Sequence, residues 1–236
     1  MENEMQKTSE TALATNGGSG RGFEEPTSRE DLIIPRAKLF QGLPVEYDQF
    51  PDAKPGQVLN SLTKEVLPSE FIPVFKFTNW IRFNPRKKED RGFDPSFEPG
   101  AMIWNTNNPH DPRVEEYGKF GPNGEPPLAT KFLNFFSLFP GSKMPIVVSF
   151  SKTSFKAGRQ LMTIAQLTGG DMFSRKYKLG VKKEAGDQGS YYVFTVDPAG
   201  VVEGDLFKQA ERLYEDFATK PIKVDDGAET TEEIPF

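Results

Sequence analysis

The 236-residue chain contains no cysteine and a single histidine, His110. The first absence excludes disulfides, thiol catalysis, iron–sulfur clusters and every cysteine-based zinc site. The second leaves no basis for a histidine-rich metal site or a serine–histidine relay, although carboxylates alone could still hold magnesium. No apolar run approaches the roughly 18–20 residues of a membrane span, and the N-terminal stretch lacks the apolar core of a signal peptide. These absences lead us to expect a soluble, cytoplasmic protein that makes no membrane contact. Aliphatic residues are modest in number, whereas 21 Phe, 6 Tyr and 2 Trp stand out. Part of that aromatic surface is available for work other than filling a core.

A net charge of −5 hides a segregation. Residues 1–31 carry seven acids against three bases, and residues 225–236 carry five acids and no base. The body between them is therefore net positive. Its most basic stretch, 143–183, holds nine Lys and Arg against Asp171 alone. A basic stripe on an acidic chain suggests a polyanion site with a separate acidic tail, although a solvated charged face has the same composition.

Residues 1–28 are polar and centre on Asn16-Gly17-Gly18-Ser19-Gly20. Too little apolar surface is present to offset ordering entropy, so disorder is expected there and over 225–236. The body, 29–224, opens with an extended segment around Pro35, which cannot donate to a strand ladder. Residues 71–83 form the clearest strand. Phe75, Phe77, Ile81 and Phe83 share one parity, and Lys76, Thr78, Trp80 and Arg82 the other. Residues 84–127, rich in Pro, Gly, Asn and Asp, read as a long excursion with one apolar piece, Ala101-Met102-Ile103-Trp104. Paired strands follow at 131–139 and 144–150.

Ser154 is placed to cap a helix over 155–167, stopped by Gly169-Gly170, with Phe155, Met162 and Ala165 on its apolar side and Lys156, Arg159, Gln160 and Thr163 on the other. Strands at 173–183 and 191–196 flank a polar turn. Leu206, Ala210, Leu213 and Phe217 mark a last amphipathic helix. The pattern predicts a mainly β or α+β fold, with an OB-fold-like small barrel carrying a long loop insertion and one or two amphipathic helices.

The chain ends in Glu232-Glu233-Ile234-Pro235-Phe236, behind Asp225 and Asp226. A terminal Phe places a ring and a free carboxylate on one residue, so a partner can bury the ring and pair the carboxylate with Arg or Lys. Pro235 keeps the segment extended, and the preceding acids add salt-sensitive attraction to basic surfaces. This end resembles the tail of the bacterial single-stranded DNA-binding protein (SSB) family, an acidic stretch closing on Asp-Asp-Ile-Pro-Phe, with Glu232 and Glu233 at the two acidic positions. The strict likeness covers about a dozen residues. The body is longer than the compact bacterial core, and the 84–127 insertion has no counterpart in it. In size, basic core and tail the chain is more similar to phage-encoded SSBs of the OB-fold class, which would place it in the host cytoplasm. The resemblance implies an OB-fold that sequesters single-stranded DNA during replication, recombination and repair. It also implies recruitment of replication and recombination proteins through Asp225, Asp226, Glu232, Glu233, Ile234, Pro235 and Phe236. It implies neither catalysis nor a cofactor.

Sequence-tolerant binding of a single strand needs cations beside stacking platforms. Phe173-Ser174-Arg175-Lys176-Tyr177-Lys178 supplies both, with Arg175 and Tyr177 on one strand face and Lys176 and Lys178 on the other. On the 71–83 strand, Trp80 stands between Lys76 and Arg82 on one face. The candidate DNA-binding residues are therefore Lys76, Trp80, Arg82, Lys152, Lys156, Arg159, Arg175, Lys176, Tyr177, Lys178 and Lys182. Trp80 and Tyr177 are the stacking candidates, with core packing as the alternative for each.

Two other functions stay open on sequence. The acids of the insertion (Asp90, Asp94, Asp111, Glu115, Glu116), close to His110, could hold metal in a nuclease or other DNA-processing enzyme. They lie in a loop-like stretch where solvated acids are equally expected. A recombination annealing protein would bind single strands too. RNA is a further candidate ligand, because stacking and phosphate contacts do not read the sugar. A homo-oligomer such as a dimer is compatible with the sequence.

Overall fold

The computed structural model describes residues 33–142, 144–186, 189–219 and 224. The expected N-terminal and C-terminal tails, with Lys143, lie outside the described residues. Eight strands and four helices are described: β1 (Ala37–Leu39), α1 (Pro44–Tyr47), β2 (Val58–Asn60), β3 (Glu70–Phe83), β4 (Met102–Thr106), α2 (Pro112–Tyr117), β5 (Ala129–Leu138), β6 (Ile146–Phe150), α3 (Phe155–Thr168), β7 (Arg175–Gly186), β8 (Gly189–Val201) and α4 (Gly204–Phe217). The fold is mainly β within the α+β class. One antiparallel sheet runs β6-β5-β3-β7-β8 with β4 also paired to β3, and β1-β2 form a separate ribbon.

β3 organises the sheet. Its first residues pair with β7 at Glu70 and Phe71, its length pairs with β5, and its end pairs with β4 from Trp80 onward. A register shift between Pro73 and Phe75 places Val74 opposite no residue of β5, which bends the strand and increases its twist. The two faces of the curled sheet bury separate cores. One holds Phe71, Leu133, Phe135 and Phe150 with Tyr177, Leu179, Phe194 and Val196 of the β7–β8 hairpin and Ala157 and Leu161 of α3. The other holds Ile72, Val74, Phe136 and Leu138 beneath Ala210 and Phe217 of α4. Phe136 stacks on Phe75 at 4.8 Å and meets Phe217 at 5.1 Å. Ten of the described phenylalanines are buried in these cores and the β1–β2 region.

The curl stops short of a barrel, and no closed ladder is present among the described residues. Closure would require β8 to pair with another strand. Its outer edge is instead occupied by side chains. The Gln41 carboxamide donates to the Tyr192 carbonyl (3.0 Å) and accepts from the Tyr192 N–H (2.8 Å), reproducing a ladder pair. The Phe194 N–H donates to Ser154 Oγ at 3.1 Å, and Gln160 Nε2 donates to the Val196 carbonyl at 3.1 Å. Residues 192, 194 and 196 are the alternate positions whose backbone groups face away from β7. Ser154 stands at the N-cap of α3 but makes no capping bond; its hydroxyl serves the strand edge, not the helix expected from sequence.

An unpaired edge invites association with a second chain, and these three residues blunt it. Removing both amides, as Gln41→Ala with Gln160→Ala, should cost about 1 kcal/mol per lost hydrogen bond and promote concentration-dependent association. A lowered urea midpoint together with increased light scattering would show both effects. An unchanged midpoint would mean that water satisfies the edge equally well.

The helices follow their sequence patterns with two adjustments. α3 buries Ala157, Gly158 and Leu161, so its inner face is rotated from the expected Phe155–Met162–Ala165 stripe, and Phe155 and Met162 lie at its margin. The close approach explains the rotation: a Cβ on Gly158 would come within 2.8 Å of Phe150 Cβ. Phe173 is not in a strand but in a 3-10 turn, Met172–Ser174, where its ring meets Phe207 and Tyr214 of α4. No described helix is long and apolar enough to cross a membrane.

Candidate nucleic-acid interface

β3 keeps the predicted alternation. Trp80 and Lys131 are directly paired across β3 and β5, so they share a face with Lys76, Thr78 and Arg82. The Lys131 ammonium lies 5.2 Å from the Trp80 ring centroid and 6.0 Å from that of Phe155, at the start of α3. Lys156 and Arg159, both exposed, continue the positive charge along α3, and Lys152 precedes the helix in a 3-10 turn with φ of 45°. Lys76 is exposed on the same face, four residues or about 13 Å along the strand from Trp80. Three elements distant in sequence thus converge on one patch with cations and two aromatic rings. Lys131 and Phe155 were not among the sequence candidates as binding residues. Their significance depends on the β3–β5 register and on where α3 begins, neither of which composition or local spacing reveals.

The basic stretch 143–183 does not form one stripe. Along β7, Tyr177 and Leu179 point into the core that Ala157 and Leu161 of α3 also line. Lys176, Lys178 and Lys182 have the opposite parity and extend from the outer face of the hairpin. That second patch is partly neutralised. Lys176 Nζ lies 2.8 Å from Glu70 and Lys182 Nζ 3.2 Å from Glu184, while Lys178 stands opposite both Glu70 and Asp197. Arg175, half-buried, begins the strand on the inner parity.

Tyr177 is corrected from a stacking platform to a core residue. It is 1 % exposed, its ring centroid is 6.2 Å from that of Phe71, and burial pushes its hydroxyl pKa above the ordinary tyrosine value. No base can reach it without unfolding the hairpin. Arg82 is corrected as well. Its guanidinium lies 4.3 Å over the Tyr117 ring and donates to the Gly92 carbonyl at 3.1 Å, so it pins the insertion to β3 in place of facing a ligand.

The insertion is ordered by such contacts. Trp104 and Val114 pack with Ala129 against Trp80, leaving Trp80 9 % exposed. Trp80 is therefore a covered residue, and the one cation over its ring is Lys131 among the described contacts. Asn84, buried, donates to the carbonyls of Asp94 (2.9 Å) and Phe97 (2.8 Å) and accepts from the Asp94 N–H (2.8 Å), tying the loop to the end of β3. Asp111 caps α2 through the Arg113 N–H and accepts from the Arg113 guanidinium at 2.7 and 3.0 Å. Those hydrogen bonds hold its carboxyl well below the usual carboxylate range. Among the described residues no group of three or more His, Asp or Glu could hold a metal ion.

Two polar clusters have no sequence signature. Asn105, Asn79, Asn134 and Ser149 form a hydrogen-bonded chain across β4, β3, β5 and β6, with bonds of 2.9, 2.7 and 2.7 Å. Buried amides satisfied in this way fix strand register, because slipping any strand would strand their polar groups. Glu46, 1 % exposed, accepts from the backbone N–H groups of Gln41, Gly42 and Leu43 at 3.0, 2.8 and 2.9 Å. Its other oxygen is 3.7 Å from Lys38 Nζ. This nest anchors the segment that supplies Gln41 to the edge of β8.

Asp225, Asp226, Glu232, Glu233, Ile234, Pro235 and Phe236, the expected partner-binding residues, lie outside the described residues. No curated protein and no solved structure matches the chain. One family, described as Pam3 phage gp34-like protein, matches residues 3–223, nearly the whole chain and the entire interface just described. The chain belongs to this phage gp34-like family.

Proposed function

We propose that this protein binds single-stranded DNA without sequence specificity and without catalysis, protecting it during phage DNA replication or recombination. The observation that carries the reading is the Lys131 ammonium lying over the rings of both Trp80 and Phe155, with exposed Lys156 and Arg159 following on α3 and exposed Lys76 farther along the same face of β3. Cations track a phosphate backbone while aromatic faces accept any base, which is the combination that sequence-tolerant single-strand binding uses. A curled antiparallel sheet with its concave core plugged by a helix supports the reading without deciding it. Membership of a phage family is compatible with it. On this reading the acidic end, with Phe236 as anchor, recruits replication or recombination enzymes, and its negative charge keeps it off DNA-bound phosphates.

The test is a binding titration with single-stranded DNA, duplex DNA and RNA of equal length at two salt concentrations. Single-stranded DNA should bind more tightly than duplex, with a log–log salt slope of about −0.7 for each phosphate neutralised. Equal affinity for duplex, or affinity indifferent to salt, would remove the proposal. Loss of a labelled oligonucleotide in the presence of magnesium would replace it with a nuclease.

A further inference from the structure

We infer that Lys131 is a displaceable cap over a base-binding slot between Trp80 and Phe155. This inference rests on the single-strand reading above and adds the site and the order of events. Trp80 is packed by Trp104, Val114 and Ala129 of the insertion and of β5. Trp80 keeps 9 % exposure, and the Lys131 ammonium lies 5.2 Å from its ring centroid. Phe155 meets the same ammonium at 6.0 Å, so one exposed cation reaches two rings from different elements. Lys131 is itself exposed and has no ion-pair partner among the described residues.

An exposed ammonium over a ring is held weakly, whereas a phosphate offers it a charge-assisted hydrogen bond. The four-carbon stem is flexible enough to swing the charge outward while the backbone stays paired to Trp80. A phosphate reaching the patch therefore removes the cap, and the base attached to it can enter between the rings. Both halves of the event must come from one nucleotide. A duplex presents phosphates with its bases already stacked and paired, and a polyanion without bases lifts the cap but leaves the slot unfilled. Selectivity for unpaired strands then arises at this residue and not from the total charge of the protein.

Trp104→Phe in the full chain leaves Trp80 as the single tryptophan and makes its emission the reporter, alongside anisotropy of a labelled thymidine homopolymer. The oligonucleotide should bind and quench the Trp80 emission by stacking, while inorganic polyphosphate should compete for binding without that quench. Lys131→Met should retain the quench and flatten the salt slope by about 0.7. Phe155→Leu, in the otherwise unchanged chain, should weaken binding at least about fivefold at an unaltered slope; it carries the test if Trp104→Phe fails to fold by circular dichroism. Anisotropy showing binding with no change in Trp80 emission, or full affinity in Phe155→Leu, would overturn the slot and leave single-strand binding in place. Absence of any anisotropy change would overturn both.

Discussion

Tyr177→Ala is expected to lower the unfolding free energy by about 3–5 kcal/mol, the range for removing a large aromatic side chain from a packed core. Tyr177 is among the largest fully buried side chains and packs with Phe71, Leu179 and Phe194 between the sheet and the β7–β8 hairpin. A domain of ordinary stability, about 5–15 kcal/mol, would lose much of its margin. Tyr177→Phe should behave in the opposite sense. The hydroxyl is buried and has no hydrogen-bond partner among the described residues, and an unsatisfied buried hydroxyl costs on the order of 1–3 kcal/mol. Removing the oxygen while keeping the ring should therefore leave stability unchanged or raise it by about 1 kcal/mol. Urea unfolding of the two variants measures both signs. Single-strand affinity of Tyr177→Phe should equal that of the native chain. A stability loss in Tyr177→Phe comparable to that of Tyr177→Ala would show that the hydroxyl has a partner and that the core assignment misses a polar role.

The inward orientation of Tyr177 is legible in the local pattern of the chain, because it shares parity with Leu179 and Val181, and an apolar run at period two marks the buried face. The surrounding lysines point toward a ligand role instead, and that signal misleads. Elsewhere local periodicity suffices. The parity of β3, the extents of α3 and α4, and the β5–β6 pair all follow from residues near one another in the chain. Features created by long-range register leave no such trace. Trp80 is covered by Trp104 and Val114, from a segment whose composition suggests only a loop. α2 within that segment is six residues long, too short to leave a helical period. Lys131 gains its meaning from a partner fifty-one positions earlier on the neighbouring strand. The side chains that keep the sheet from closing, Gln41, Ser154 and Gln160, come from three places and form no motif. Polar residues that satisfy a strand edge look, in sequence, like ordinary surface.

The segregation of the basic residues into two patches can be tested with a pair of triple variants that alter net charge equally. Lys76→Gln, Lys156→Gln and Arg159→Gln remove three exposed cations from the face that holds Trp80 and Phe155. Lys176→Gln, Lys178→Gln and Lys182→Gln remove three cations from the outer face of β7. Were binding governed by total charge, the two sets would weaken it alike, since each lowers the field of the whole protein by the same amount. The structure argues against equality. On β7, Lys176 is paired with Glu70, Lys182 with Glu184, and Lys178 stands opposite Glu70 and Asp197, whereas Lys76, Lys156 and Arg159 are in none of the described ion pairs. The first set should flatten the log–log salt slope by about 2, at about 0.7 per phosphate contact, and reduce affinity for single-stranded DNA on the order of tenfold to a hundredfold at low salt. The second set, acting mainly through the screened long-range field, should change affinity by less than about threefold. Neither set replaces a core residue, so circular dichroism and urea midpoints should stay near native and folding loss cannot mimic the result. If the β7 variant loses more affinity than the other, the strand crosses the outer face of the hairpin, and the Trp80–Phe155 patch is not its site.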